Sequence, residues 1–326
     1  MNLKLKLELK EWRLKAPFIT ATEVINAIQV LQLTVSQGGI FGRAETMGVD
    51  YLNETIESLQ AELAALDPAV FPKLDRAMLQ NLLPPGGSRN GLDCALWDLE
   101  AKQSASGISG LTGISLEPVS TLFTLSLADP EKMARQASAV PELQRLKLKL
   151  NADAPLECLT AIRAARPDAQ LVIDANGSWS NELLMALGDD LARCGVALLE
   201  QPLPRGADRA LEHLKYPVPV CADESCQSSM ELEAVADRYD AINIKLDKCG
   251  GLTDALKMRE WCLRYGKQIM VGNMLGSSLA MAPALLVAQG ADFVDLDGPL
   301  WQQEDVEPPL SIARGVIAPP DPELWG

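Results

Sequence analysis

The sequence predicts an α/β chain: a (β/α) barrel of the modified TIM type with an α+β capping domain. Three observations lead there. Apolar, strand-like runs that end on an ionisable residue recur at nearly even intervals. The first forty or so residues instead alternate with a period of two. No Gly-x-Gly-x-x-Gly fingerprint follows any strand, which weighs against an open dinucleotide-binding sheet. The recurring runs are LKLKL at 146–150, LVIDANGS at 171–178, VALLE at 196–200, VPVCAD at 218–223, AINIK at 241–245 and FVDLD at 293–297. Lys149, Asp174, Glu200, Asp223 and Lys245 follow one another at steps of 25, 26, 23 and 22 residues, each about the length of one strand, loop, helix and loop.

In chain order, residues 1–43 read as an antiparallel meander. Lys4, Lys6, Glu8 and Lys10 alternate with Leu3, Leu5, Leu7 and Leu9, and strands at 27–36 and 40–44 are joined by a turn at Gln37-Gly38-Gly39. Between 53 and 103 the apolar period lengthens to three and four, predicting helices at 54–65, 71–82 and 90–102. The Gly- and Ser-rich stretch 104–118 reads as a linker. A strand at 119–125, a helix at 130–140 and LKLKL then begin the regular part, and helix 254–265, strand 268–271 and helix 277–288 continue it. Counting from Val119 gives seven clear strands through 268–271, followed by the run at 293–297, with a possible further one near Leu300 or Val316. The expected division is a cap at 1–112, completed by about 306–326, and a barrel at 113–305.

Composition narrows the function classes. With 326 residues the chain is long enough for a barrel and a companion domain. A formal net charge of −15 excludes nucleic acid or an anionic membrane as the expected partner, since both reward a basic face. No apolar run reaches the roughly 18 residues of a membrane span. Seven cysteines without a spacing framework and an N-terminus without an apolar core point to a cytoplasmic protein. His213, the only histidine, lies in a helix-like segment away from the strand ends. Cys221 and Cys226 read as buried small hydrophobes.

The C-terminal ends of parallel barrel strands share one mouth. Asp174, Glu200 and Asp223 end three successive strands, so three carboxylates converge, and unneutralised they would repel and raise one another's pKa. Oxygen-only ligands suit Mg²⁺ better than Zn²⁺, which would recruit His or Cys. Lys147 and Lys149 share one face of their strand, with Leu146, Leu148 and Leu150 on the other. Lys245 ends a strand four positions further round an eight-strand ring, opposite Lys149. Two opposed bases with a metal between them suit proton transfer at a carbon beside a carboxylate: one lysine takes the proton, the other returns it on the opposite face, and Mg²⁺ stabilises the ene-diolate. Metal, second cation and burial are expected to bring the lysine pKa values down from about 10.4.

The motifs Lys147-x-Lys149, Asp174-Ala-Asn176, Glu200-Gln201-Pro202, Ala222-Asp223-Glu224-Ser225, Ile244-Lys245-x-x-Lys248-x-Gly250-Gly251 and the helix from Ser88 to Leu99 together resemble the enolase superfamily, in its muconate-lactonizing branch. The likeness covers essentially the whole chain. Asp295-Leu296-Asp297-Gly298-Pro299 resembles the Asp-x-Asp signature of that branch's dipeptide epimerases. The resemblance implies Lys149 and Lys245 as the acid–base pair and Asp174, Glu200 and Asp223 as Mg²⁺ ligands. It puts a dipeptide's α-ammonium on Asp295 and Asp297, with Lys147, Asn176, Thr124 and the cap residues Thr22 and Ile25 lining the substrate. Members selective for Ala-Glu carry an Arg in the first cap loop, whereas residues 18–29 here hold no Lys or Arg, which leaves glutamate preference open. The alternatives are another reaction of the branch, such as o-succinylbenzoate synthase or cycloisomerase chemistry, and a non-catalytic barrel that binds a metal and ligand. A homo-oligomer is compatible with all of these.

Overall fold

The computed structural model describes residues 3–20 and 23–326, so Thr22 lies outside the described residues. The chain opens as an antiparallel sheet of β1 (Lys4–Ile19), β2 (Val24–Gln37) and β3 (Ile40–Thr46), in that order. Period-two patterning gives it one wet face and one face with Leu31, Leu33 and Val35 buried. The sheet is followed by α1 (Ile56–Ala64), α2 (Arg76–Leu82), α3 (Gly87–Gln103) and α4 (Gly107–Thr112). The helix expected at 71–82 is broken. Phe71–Lys73 is a single 3-10 turn, Leu74 is extended, and Asp75 caps a new helix by accepting Met78 N–H at 2.7 Å. The expected linker likewise contains α4, which stops at Gly113 in the left-handed region.

Helix α3 is the spine of the cap, with every residue from Gly87 to Leu99 buried. Gly42 of β3 lets sheet and helix meet: a Cβ there would come within 2.2 Å of Ala95 O. The other side of α3 grips the barrel. Arg89 donates to Cys249 O at 2.6 Å and Gly250 O at 3.1 Å, and Asp93 accepts from Thr253 N and Oγ1. Arg89→Ala strips a buried charged donor from two carbonyls and is expected to cost about 3 kcal/mol, read as a lowered midpoint in denaturant unfolding.

The segment predicted as one strand at 119–125 is two. β4 (Val119–Ser120) pairs outside the barrel, and β5 (Phe123–Leu125) begins it. There follow α5 (Pro130–Ser138), β6 (Arg145–Lys149), α6 (Pro155–Ala165), β7 (Gln170–Asp174), α7 (Asn181–Arg193), β8 (Val196–Glu200), β9 (Val220–Ala222), α8 (Leu232–Val235), β10 (Ala241–Ile244), α9 (Leu246–Cys249), α10 (Leu252–Tyr265), β11 (Gln268–Val271), α11 (Ser278–Met281), α12 (Ala284–Val287), β12 (Phe293–Val294) and α13 (Gly298–Trp301). The helix expected at 277–288 is thus two short ones flanking Pro283, which cannot donate a helical hydrogen bond.

Strands β5 to β12 pair in parallel in chain order, and Leu122 N–H donates to Val294 C=O at 2.7 Å across the two ends. The eighth strand is therefore β12, within the run read as strand-like at 293–297. The further sites near Leu300 and Val316 add none to the barrel: Leu300 lies in α13, and β13 (Ile312–Ala313) and β14 (Val316–Ile317) form a small antiparallel sheet with β4. The chain end returns to the cap, with Trp325 Nε1 donating to Cys94 O and Gly326 N to Asp98 Oδ1.

Inward and outward residues alternate as a barrel requires. Leu146, Leu148, Leu171, Ile173, Leu199, Ile242 and Ile244 face the helices in the main core. Inside, Leu122, Val172, Leu198, Cys221, Ala241, Met270 and Phe293 form a separate apolar cluster. Val172, Leu198 and Cys221 each stand two residues before Asp174, Glu200 and Asp223 on the same strand face, so this cluster floors a polar layer at the mouth.

Candidate active site

Cα register in the sheet pairs Lys149 with Asp174 and Asp174 with Glu200, so the three side chains project to the same face. Asp223 stands two residues past Cys221, the partner of Glu200, and shares that face. Lys147, Lys149 and Lys245 are at most 8% exposed, and Asp174, Glu200 and Asp223 at most 1%.

Ammonium groups lie between the carboxylates. Lys147 Nζ is 3.1 Å from Asp174 Oδ2, 2.8 Å from Glu200 Oε2 and 2.8 Å from Asp295 Oδ2. Lys149 Nζ is 2.7 Å from Asp174 Oδ2 and donates to Asn176 Oδ1 at 3.0 Å. Lys245 Nζ is 2.7 Å from Asp223 Oδ2, and Lys248 Nζ 2.6 Å from Asp223 Oδ1.

These pairings correct the expected electrostatics. Burial works to lower the pKa of Lys147 and Lys245, but the surrounding carboxylates outweigh it and hold both above the ordinary lysine value. Asp174 and Asp223 are correspondingly held low: burial opposes ionisation, and Lys149 and Lys147 for the first, Lys245 and Lys248 for the second, more than offset it. Glu200 goes the other way, up to about 8, through burial and the Asp174 charge. The three carboxylates are thus not unneutralised neighbours, and among the described residues no three His, Cys, Asp or Glu side chains close into a ready-made metal cage.

The donor set nonetheless fits a hard dication. All donors are oxygen. Glu200 Oε1 accepts from Asn243 Nδ2 at 2.7 Å, while fully buried Oε2 accepts no hydrogen bond and meets only the Lys147 charge. Such a lone-pair site suits Mg²⁺, which takes carboxylate oxygens and few dedicated ligands.

Asp295 and Asp297 lie just beyond β12, both buried. Asp295 is engaged by Lys147 and faces Thr124 Oγ1 at 3.5 Å, while Asp297 Oδ2 accepts Thr124 N–H at 2.7 Å and Trp301 Nε1 at 3.2 Å. Burial and the Asp295 charge push Asp297 up to about 6.

The cap roofs this layer. The β1–β2 hairpin is fastened to the loop after β5 by Leu127 N donating to Ile19 O at 3.0 Å. It carries half-buried Ile25 and also Glu23, whose carboxyl is raised by partial burial and Asp50 while Lys149 opposes the rise. A cleft of about 510 Å³ lined by Tyr51, Asn53, Asn176, Arg205, Glu224 and Gln227, among others, continues from the mouth beneath the cap.

Sequence reasoning passed over Asn243, Gln201 and the depth of Lys248. Lys248 is fully buried and donates to Asp223, Cys226 and Asn243; its spacing of three from Lys245 was the available signal. Gly250 and Gly251 form a left-handed turn, packed against Arg89 at the first and Asp93 at the second. His213 is not helical and lies exposed at a left-handed turn.

Fold and site together define an enolase-type barrel with a lysine-flanked carboxylate layer beneath an α+β cap. The chain belongs to the enolase superfamily: residues 3–113 match the mandelate racemase/muconate lactonizing enzyme N-terminal domain, and residues 132–323 the enolase C-terminal domain-like family. It is 41% identical to L-Ala-D/L-Glu epimerase of Escherichia coli K12 over 94% of this chain and 96% of that protein. N-acetyl-D-glutamate racemase of a Pseudoalteromonas species is 37% identical over 91% of this chain and 95% of its own. An enolase family member from Agrobacterium tumefaciens with homology to dipeptide epimerases, solved with sodium and L-Ala-L-Glu, superposes with a TM-score of 0.96 at 41% identity, covering 99% of this chain and 100% of that one.

Proposed function

We propose that this enzyme is a dipeptide epimerase that inverts the C-terminal α-carbon by two-base 1,1-proton transfer through an enolate, with Lys149 and Lys245 as the two bases. The observation that carries this is their placement: two buried lysines on strands four apart in an eight-stranded ring, with the carboxylates of the intervening strands between them. Asp174, Glu200 and Asp223 would hold Mg²⁺, which supplies stabilisation of the negative charge that grows on the substrate carboxylate as the proton leaves. Lys147 adds positive charge below that position, and Asn176 orients Lys149. Asp295 and Asp297, steadied by Thr124, receive the α-ammonium. Ile25 belongs to the roof over the C-terminal side chain.

The substrate is a small molecule, and neither nucleic acid nor a membrane is invoked as partner. Among the described residues no helix is long and apolar enough to cross a membrane. Seven unpaired cysteines, six of them buried, support a cytoplasmic setting. Tail contacts with Cys94 and Asp98 support a cap of 1–112 completed by 306–326, around a barrel of 113–305.

Two relatives are named for glutamyl or N-acetylglutamate substrates, yet residues 18–29 of the cap here include Glu23 and hold no Lys or Arg. We therefore extend the substrate range to dipeptides ending in an apolar, small or cationic residue. A panel of L,L-dipeptides incubated in D₂O with Mg²⁺ is expected to show α-proton exchange across several of these; exchange confined to Ala-Glu overturns the extension.

The ammonium role gives a separate test. Since Asp297 protonates near pH 6, kcat/KM for a dipeptide is expected to fall as pH drops through about 6, where the carboxylate loses its charge. Asp297→Asn should lower kcat/KM roughly 10–100-fold, the worth of one charge-assisted hydrogen bond. The N-acetylated dipeptide, which has no ammonium, should be far less affected; equal losses on both would remove the assignment and favour chemistry on substrates without an amine.

A further inference from the structure

Gln201 follows Glu200 directly, is completely buried, and has a backbone φ of 36°, in the left-handed region that L side chains rarely adopt. In a strand-to-loop transition this conformation needs a reason. Its hydrogen bonds supply one. The main chain of Gln201 ties the neighbouring strand ends together: Gly177 N donates to its carbonyl at 2.7 Å, and its own N–H donates to Cys221 O at 2.9 Å. The side chain does the same for the third strand end, since Oε1 accepts both Asp223 N and Ser225 N at 3.0 Å. One residue thus links the loops that carry Asp174, Glu200 and Asp223.

Behind it lies a buried polar set with no place in the chemistry described above. Gln201 Nε2 donates to Leu203 O at 2.7 Å, Ser225 Oγ at 2.9 Å and Tyr239 Oη at 3.2 Å. Ser225 Oγ and Tyr239 Oη each donate to Asp208 Oδ2 at 2.7 Å, and Arg238 engages the other oxygen. Asp208 accepts from both hydroxyls, so their lone pairs are left for Gln201 Nε2, and the amide has one satisfied orientation. That orientation is the one that presents Oε1 to Asp223 N–H.

We propose that Gln201 is a positioning residue that spaces the carboxylates of Glu200 and Asp223 for the cation, and that Asp208, Ser225 and Tyr239 lock it in register. The proposal rests on the metal-binding reading of those two carboxylates. Outer partners of metal ligands typically change metal affinity about 10–100-fold when removed.

The test is a Mn²⁺ titration of the full-length protein followed by electron paramagnetic resonance. Gln201→Met, close in volume but without the amide, is expected to weaken Mn²⁺ binding by about 10–100-fold, well beyond any change in the thermal midpoint of the metal-free protein. Tyr239→Phe, which loses one hydroxyl, should weaken it severalfold in the same direction and stands in if Gln201→Met does not fold. Unchanged Mn²⁺ affinity in the folded variant overturns the proposal. Glu200→Gln separates the two readings. If it loses Mn²⁺ while Gln201→Met keeps it, the positioning role alone fails; if it binds Mn²⁺ as tightly as the natural chain, the metal assignment fails and the positioning role with it.

Discussion

Lys149→Ala and Lys245→Ala are each expected to lower epimerising turnover by about 10²–10⁴-fold, the usual contribution of a positioned acid or base, without becoming equivalent proteins. Inversion needs a proton removed on one face and returned on the other, so neither lysine can replace its partner. Each variant still holds one base, which can exchange the α-proton of one epimer with solvent. In D₂O, Lys149→Ala should therefore exchange deuterium into one epimer of a dipeptide and Lys245→Ala into the other. In structural cost the two substitutions are alike. Lys149 shares Asp174 with Lys147, whereas Lys245 shares Asp223 with Lys248, so neither change leaves a carboxylate unpaired and both variants should fold. Exchange of both epimers by either variant would place the second base elsewhere.

Chelation of divalent cations is the second large effect. The Lys147, Lys149, Lys245 and Lys248 ammonium groups are already engaged by Asp174, Asp223 and Asp295, and a substrate carboxylate entering that layer has no cation to itself unless a metal provides one. Exhaustive treatment with EDTA should cost on the order of 10³-fold or more in kcat, since several kcal/mol of charge stabilisation disappears, and Mg²⁺ should restore it. Far-ultraviolet circular dichroism should be nearly unchanged, because the ion pairs of Lys147, Lys149, Lys245 and Lys248 hold the layer together without the metal. Full activity after exhaustive chelation would remove Mg²⁺ from the account.

The sequence by itself determined the repeat, the barrel, the cap and the identity of the residues at the strand ends. Strand polarity is period two, so the placement of Lys147, Lys149, Asp174 and Glu200 relative to their apolar neighbours fixes which face they share, whatever the loops do. Helix breaks were less legible: Asp75 restarts a helix inside 71–82, and α4 forms in a Gly- and Ser-rich stretch, because caps and tertiary packing override a smooth apolar period. The division of 119–125 between two sheets was also beyond local pattern, because two- and three-residue strands are defined by their partners; the strand within 293–297 was legible, and only its shortening to Phe293–Val294 was not. Only the tertiary structure decided the electrostatics. Whether a buried lysine is pushed down by burial or held up by carboxylates depends on distances of 2.7–3.1 Å between side chains on different strands, and Coulomb energy at that range outweighs desolvation. The same holds for Gln201, whose residue type says little and whose meaning comes from the three strand ends that its hydrogen bonds bring to one place.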